Sequence, residues 1–593
     1  MCGICGFYQP GKTSDVFEEP RAVLQRMSAR LIHRGPDGNG IWQDEAAGLG
    51  LAHQRLSIRD TSSAGAQPMR SSCGRYVICY NGELYNGDEL REEIARATGK
   101  SPRLQGHCDT EILLEACAAL GVERTLSLTI GMFAFALWDS RERKLTVARD
   151  RFGVKPLYWT RQNGLFAFAS ELKALRELPG CAFSLDRNNL AAFFRCNYLP
   201  DPLTIFSEIK KLRPGWMMTV AADGSVSETQ WWSALDVALA GMADRVTSHR
   251  DALEELHRLL RDAVRRRMIA DVPLGAFLSG GVDSSLVVAL MQEASLAPVR
   301  TFCIGFAQSE FNEAPYAKAV AEALGTEHTE HYVTADEALA VIPRLPVIYD
   351  DLFADSSQIP TYLLCKLARE SVTVVLTGDG GDELFAGYWQ NNHPIPFARH
   401  LPLSRSLLHQ RKHFGRWAGR NPVIGGSVPR EYFVQGITDD MFPADQELTQ
   451  YIDTMHYLPG DILTKVDRAS MAVSLEARPP LLDHRLYAFA WRMPPTLRRA
   501  CGKGKWPLRH LLDGYVSPEL TERPKQGFAP PLTYWLQHEL REWVEDLLDP
   551  VKMRQAGWLD AATVQKMWKD VQEGRQKTHP IWAVLMFQQW ISC

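Results

Sequence analysis

Ser279-Gly280-Gly281-Val282-Asp283-Ser284-Ser285 is the stretch on which the fold turns. Before it, Val272 to Leu278 is an apolar run that predicts a buried strand; after it, Ser285 to Met291 predicts the first turns of a helix. Two glycines between a strand and a helix let backbone N–H groups converge on an anion at the helix N-terminus, which makes a phosphate site. A Walker A loop would close with Gly-Lys-Ser or Gly-Lys-Thr, and here no such lysine exists to hold a transferring γ-phosphate. The loop Ser279, Gly280, Gly281, Asp283, Ser284 therefore suits the pyrophosphate end of ATP while the α-phosphorus reacts, with Asp283 as a magnesium ligand. A lone Ser-Gly-Gly is also an ordinary turn. The flanking strand and helix, and a second acidic glycine loop downstream, favour the phosphate reading.

That second loop is Thr377-Gly378-Asp379-Gly380-Gly381-Asp382-Glu383, at the end of the strand-like run Val372 to Leu376. Between the two loops, Arg300 to Phe306 reads as a strand and Glu313 to Leu324 as a helix. Ile304 is placed to line an adenine pocket, though core packing explains it equally. Alternation of this kind predicts an α/β domain with a parallel sheet and ligands at the C-terminal ends of its strands. The acidic turn could face solvent; the Ser279 loop instead provides its carboxylates with a cation to share.

The chain, at 593 residues, is too long for one ordinary domain. Its 45% hydrophobic and 23% charged content is that of a globular protein. A net charge of −4 argues against nucleic acid as the main partner. No apolar run approaches the roughly 18 residues of a membrane span, and Met1 to Pro10 turns polar too early for a signal peptide. Twelve cysteines scattered over this length are no disulfide framework, so a cytoplasmic location is expected.

Loss of Met1 would leave Cys2 first, its thiol beside its own α-amine, whose pKa of about 8 suits a base. The alternative is a Cys2/Cys5 metal or redox pair, but no second Cys-x-x-Cys completes four ligands, and Cys5 reads as core. Three segments could serve a cysteine nucleophile. Arg55 offers a fork for a carboxylate, Asn81 and Gly82 offer an amide and an N–H to an oxyanion, and Asp109 offers a carboxylate to an ammonium group. Taken singly, Asn81-Gly82 is also a hairpin turn and Arg55 a surface ion pair.

Together, Cys2 to Gly6, His33-Arg-Gly-Pro-Asp37, the Arg55 segment, Asn81-Gly-Glu-Leu-Tyr85, Asp109-Thr-Glu111 and Ala148 to Tyr158 resemble the class II glutamine amidotransferase domain, an N-terminal-nucleophile fold. The resemblance implies glutamine hydrolysis, with Cys2 attacking the side-chain amide and Asn81 and Gly82 stabilising the tetrahedral intermediate. Arg55, Asn81, Gly82, Glu83 and Asp109 would hold the glutamine. The likeness runs to about residue 215; residues 216–250 read as linker, and 251–593 as the ATP-dependent domain. Leu253 to Met268 is an amphipathic helix whose Arg265-Arg266-Arg267 run is expected to face solvent.

Ser279 to Ser285, Thr377 to Glu383, Tyr457 to Arg468, Glu476-Ala-Arg478 and Arg523 to Phe528 resemble the synthetase domain of the glutamine-hydrolysing asparagine synthetase family. The implied architecture is an αββα sandwich followed by an α/β domain with an ATP-pyrophosphatase loop and a helical C-terminal part. The implied reaction adenylates a carboxylate with ATP and displaces AMP with ammonia, delivered from the first domain through a water-poor channel. Aspartate is the default acceptor; sugar acids, peptides and other carboxylates serve related proteins. By the same resemblance Leu278, Ile304, Thr377 and Gly378 fall on nucleotide positions, Asp283 and Asp382 on Mg2+ positions, and Lys525 on a phosphate-neutralising lysine. Asp379 stands where several relatives carry Glu in acyl-adenylate formation. A homodimer is implied. A basic segment from Arg399 to Arg420 could attract a larger anionic acceptor or be an exposed helix. A non-catalytic regulator would need neither Cys2 nor Lys525.

Overall fold

The computed structural model describes residues 1–11, 17–388, 421–428, 437–438, 441–500, 502–522 and 530–592. The expected Arg399 to Arg420 segment and Lys525 lie outside the described residues.

The first module contains β1 (Gly3–Tyr8), β2 (Gly38–Asp44), β3 (Leu49–Arg55), β4 (Met69–Arg70), β5 (Tyr76–Leu84), β6 (Gly131–Asp139), β7 (Lys144–Arg149), β8 (Tyr158–Gln162), β9 (Leu165–Ala169), β10 (Ile209–Lys211), β11 (Trp216–Val220) and β12 (Val226–Gln230). They form two antiparallel sheets, ordered β10-β8-β9-β1-β3-β2 and β12-β11-β7-β6-β5-β4. Strands β1 and β3 are buried on nearly every residue, which a sheet covered on both faces requires. Ile4, Tyr8, Leu49 and Leu51 meet Val77, Cys79, Ala134 and Trp138 in the core between the sheets. Helix Pro20–Ala29 covers the first sheet and helix Asp109–Leu120 the second, giving the αββα sandwich.

The linker expectation is corrected here. Residues 216–230 are β11 and β12, and β11 pairs with β7 from Met217 opposite Ala148 to Val220 opposite Leu145. Val-, Met- and Thr-containing alternation in this stretch is a strand signal hidden by polar neighbours. Helix Ala234–Ala243 then packs on helix His484–Arg492, so the connection is built into the body.

The second module carries β13 (Leu274–Phe277), β14 (Arg300–Phe306), β15 (Glu327–Val333), β16 (Val374–Leu376) and β17 (Glu476–Arg478) in one parallel sheet, ordered β15-β14-β13-β16-β17. The chain leaves β13 towards β14 and later returns to its other side as β16. The loops after β13 and β16 thus lie side by side at the switch point, where open α/β sheets bind ligands. Residues Asp453–Leu463 form a π-helix containing Pro459 that runs into helix Thr464–Met471.

Charged groups as well as apolar ones are buried between the modules. Arg34 donates to both oxygens of Asp467 at 2.8 and 3.0 Å, and Arg468 pairs with Glu171 at 2.8 Å. The arginine run departs from its expectation. Arg265 is exposed, but Arg267 is buried, pairs with Asp483 at 3.2 Å and lies over the Tyr85 ring. An amphipathic helix that ends at an interface can bury a long cation only beside a partner such as this.

Candidate functional site

Two cavities carry the chemistry-bearing residues. The first is lined by Cys2, Arg55, Gly82, Glu83 and Asp109, with Met1, Arg59, Tyr80 and Glu476. Cys2 precedes β1, and its N–H donates to Asn81 Oδ1 at 2.9 Å. Asn81 is wholly buried, and its Nδ2 has no hydrogen-bond partner among the described residues. Such a donor is costly unless something arrives to accept it. Asn81-Gly82 is no hairpin turn: β5 continues through Leu84. Phe133, opposite Gly82, turns its own N–H and C=O to Asp150, so the antiparallel ladder turns the Gly82 N–H away from β6. A Cβ at Gly82 would lie 2.3 Å from Met132 O, which leaves glycine as the residue that fits.

Arg55, at the end of β3, donates to Ser62 O at 2.7 Å and to Asp60 O. Asp109 opens helix Asp109–Leu120 and accepts the Leu84 N–H at 2.8 Å. Burial pushes its carboxyl up, against the pull of Arg59. Glu83 receives Arg59 at 3.2 Å and Arg478 at 3.1 Å; burial and the neighbouring Asp109 nonetheless push it up. Burial raises the Cys2 thiol while the chain's amino group acts in the opposite direction. That amino group, on Met1, is ion-paired with Glu476 at 2.7 Å in a wholly buried position.

The second cavity has a volume of about 480 Å3 and is lined by Leu278, Ser279, Gly281, Asp283, Ser284, Ile304, Thr377, Gly378, Asp379 and Asp382. Gly280 completes the loop with φ +70, and a Cβ there would meet the Tyr316 backbone at 2.7 Å. Ser284 Oγ ties the loop by accepting the Ser279 N–H at 3.2 Å. The two loops touch: a Cβ on Gly381 would lie 2.3 Å from Asp283 Oδ1. Thr377 donates to Asp379 at 2.7 Å, and burial raises the Asp379 carboxyl.

Lys505, outside every motif the sequence shows, also enters this cavity. Its ammonium lies 2.5 Å from Asp283 and 2.7 Å from Asp382, and although burial works against its charge, these carboxylates push its pKa up. The run Gly502-Lys503-Gly504-Lys505 ahead of a helix was the available signal. Two carboxylates that share one cation fit a Mg2+ ion held also by phosphate oxygens. Among the described residues no group of three or more His, Cys, Asp and Glu forms a site for a metal on its own. Arg34, in the His33 to Asp37 motif, donates to the Cys2 carbonyl at 3.1 Å.

A small apolar void lies between the cavities. Val154, Leu463, Val466, Ala477 and Pro479 line it with Lys155 and Asp467; Met1, which also lines the first cavity, and Asp379, which also lines the second, border it too.

Comparison with known proteins finds a separate domain around each cavity. Residues 1–232 match the glutamine amidotransferase domain and residues 255–592 match asparagine synthase. Asparagine synthetase [glutamine-hydrolyzing] 1 of Bacillus subtilis (strain 168) is 32% identical over 629 residues, covering 100% of this chain and 96% of the relative. The chain belongs to the glutamine-hydrolysing asparagine synthetase family. A putative asparagine synthetase of Mycobacterium tuberculosis (strain ATCC 25618 / H37Rv) is 33% identical, covering 100% of this chain and 97% of its own. Amidase chry2 of Gibberella zeae is 27% identical, covering 95% and 94%.

Proposed function

We propose that this protein converts aspartate to asparagine, using glutamine as the nitrogen source and ATP to activate the acceptor carboxylate. The observation that carries the reading is that a small void shares Met1 with the Cys2 cavity and Asp379 and Val466 with the phosphate-loop cavity. Two cavities built for separate reactions gain from such a connection only if something passes between them.

In the first cavity, Cys2 Sγ attacks the glutamine amide carbon. Asn81 Nδ2 and the Gly82 N–H receive the oxyanion, ammonia leaves, and water releases glutamate from the thioester. Arg55 takes the substrate α-carboxylate, and Asp109 and Glu83 stand at its α-amine. Removal of Met1 frees the Cys2 amine as the base and clears the near end of the void. In the second cavity, the acceptor carboxylate attacks the α-phosphorus of ATP and pyrophosphate leaves. Ammonia then attacks the acyl carbon and AMP leaves. Mg2+ on Asp283 and Asp382 would supply charge neutralisation at the phosphates. Lys505 sits beside the same carboxylates, and Lys525 is proposed to offset charge at the reacting phosphate. Asp379 borders both the void and the nucleotide site, where the acyl carbon must lie.

Relatives bearing the name amidase support a second reading, in which the acceptor is another carboxylic acid such as a uronic acid or a peptide. The test uses glutamine labelled in its amide nitrogen, ATP and a panel of acids, with mass spectrometry of products. Label in asparagine supports the first reading. Label in another amide supports the second, and label in free ammonia alone would refute both.

A further inference from the structure

The Cys2 cavity has two rims, the loop that follows Arg55 and the loop that leads into Asp109. Both are held by one residue of the other module. Asp271, just before β13, donates its N–H to Ile58 O at 2.9 Å. Its Oδ2 accepts the Asp60 N–H at 2.8 Å and lies 2.8 Å from His107 Nε2. Asp60 in turn accepts the His107 N–H at 2.8 Å, which closes a ring of contacts across the two rims. Asp60 has φ 53, a left-handed conformation that an L-residue holds only when its surroundings require it. Its carbonyl is one of the two that receive the Arg55 guanidinium.

We propose that Asp271 is a positioning residue for glutamine, setting from the synthetase module the distance between Arg55 and Asp109 at which both ends of the amino acid are held. The inference rests on reading this cavity as the glutamine site. Asp271 lies at the end of β13 away from the phosphate loop, so its contacts serve the first cavity alone. Its side chain is 42% exposed, and a surface pair of that kind adds little to folding stability.

The test compares full-length wild type with Asp271→Ala and Asp271→Asn. For Asp271→Ala the expected result is a rise in KM for glutamine of about five- to tenfold, with kcat within about twofold. Ammonia-driven pyrophosphate release should stay at the wild-type level. Asp271→Asn should recover most of the KM, because its amide oxygen still accepts the Asp60 N–H. An unchanged KM in Asp271→Ala would overturn the inference, as would a parallel fall in ammonia-driven synthesis, which would make the residue merely structural. A wild-type protein without glutaminase activity would overturn the glutamine reading itself, and this inference with it.

Discussion

Asn81 combines an acceptor already used and a donor left open: Oδ1 holds Cys2, while Nδ2 is buried without a partner among the described residues. An amide with one end fixed cannot rotate to hide the other, so the open donor stays aimed where an oxyanion would form. On this arrangement Cys2→Ala should abolish glutamine-dependent amide formation and leave ammonia-dependent formation at wild-type rate, checked by amide product with each nitrogen source. Lys505 is the counterpart in the second cavity. Lys505→Met removes the ammonium that pairs with both Asp283 and Asp382. Pyrophosphate release should fall by about a hundredfold or more while basal glutaminase persists. Asp351 gives a residue-level test of pH dependence. Burial raises its carboxyl to about 6, against the pull of Lys211. The folded state thus holds this proton more tightly than the unfolded chain, whose ordinary value is 3.8. The contribution is present below that value and lost as pH rises through 6. Asp351→Asn stays neutral throughout, so relative to wild type it should gain about 3 kcal/mol between pH 3.5 and pH 8, read from denaturant unfolding at both.

At the scale of elements, β14 runs over Arg300–Phe306, as its β-branched and aromatic run implies. Elsewhere a local signal was overridden by neighbours. Asn-Gly favours a hairpin turn in isolation, yet β6 pairs with β5 across Gly82 and keeps the strand extended. The polar shift begins only near residue 223, after the apolar Trp216–Val220; β11 pairs with β7, and β12, polar as it is, pairs in turn with β11. Helix Ala234–Ala243 is held by close approach: a Cβ on Gly241 would lie 2.7 Å from Trp491 Cβ. Gly241→Val should therefore force that helix off its neighbour and cost about 1–3 kcal/mol, measured as a lower unfolding midpoint. A variant as stable as wild type would show that this contact adapts.

Over the whole molecule, the void that borders both cavities is where the proposed coupling of the two reactions can be tested. Its walls are mainly apolar, with Lys155, Asp379 and Asp467 the charged exceptions, and on the proposed reading an apolar wall favours neutral ammonia over ammonium. Ala477, at the centre of β17, is 3% exposed and lines this void. Ala477→Leu should fill it, leaving glutaminase and ammonia-dependent synthesis intact while the ratio of glutamate to amide rises by about tenfold. A ratio that stays near one would exclude this route. The buried pairs Arg34–Asp467 and Arg468–Glu171 fasten the modules around it; breaking one leaves a charge buried without its partner. The two chemistries were legible in the chain because each leaves short local marks: the phosphate loop lies within Ser279–Ser285, and the first site is marked by Cys2 at the N-terminus and by the separate short segments holding Arg55, Asn81-Gly82 and Asp109. Sequence alone also implied the alternation that makes a parallel sheet, since side-chain period and turn residues act locally. What only the tertiary structure decided is which distant groups share a space. Lys505 meets Asp283 across 222 positions and Arg34 meets Asp467 across 433. Contacts of that span depend on how whole sheets pack, and no local pattern of residue types encodes them.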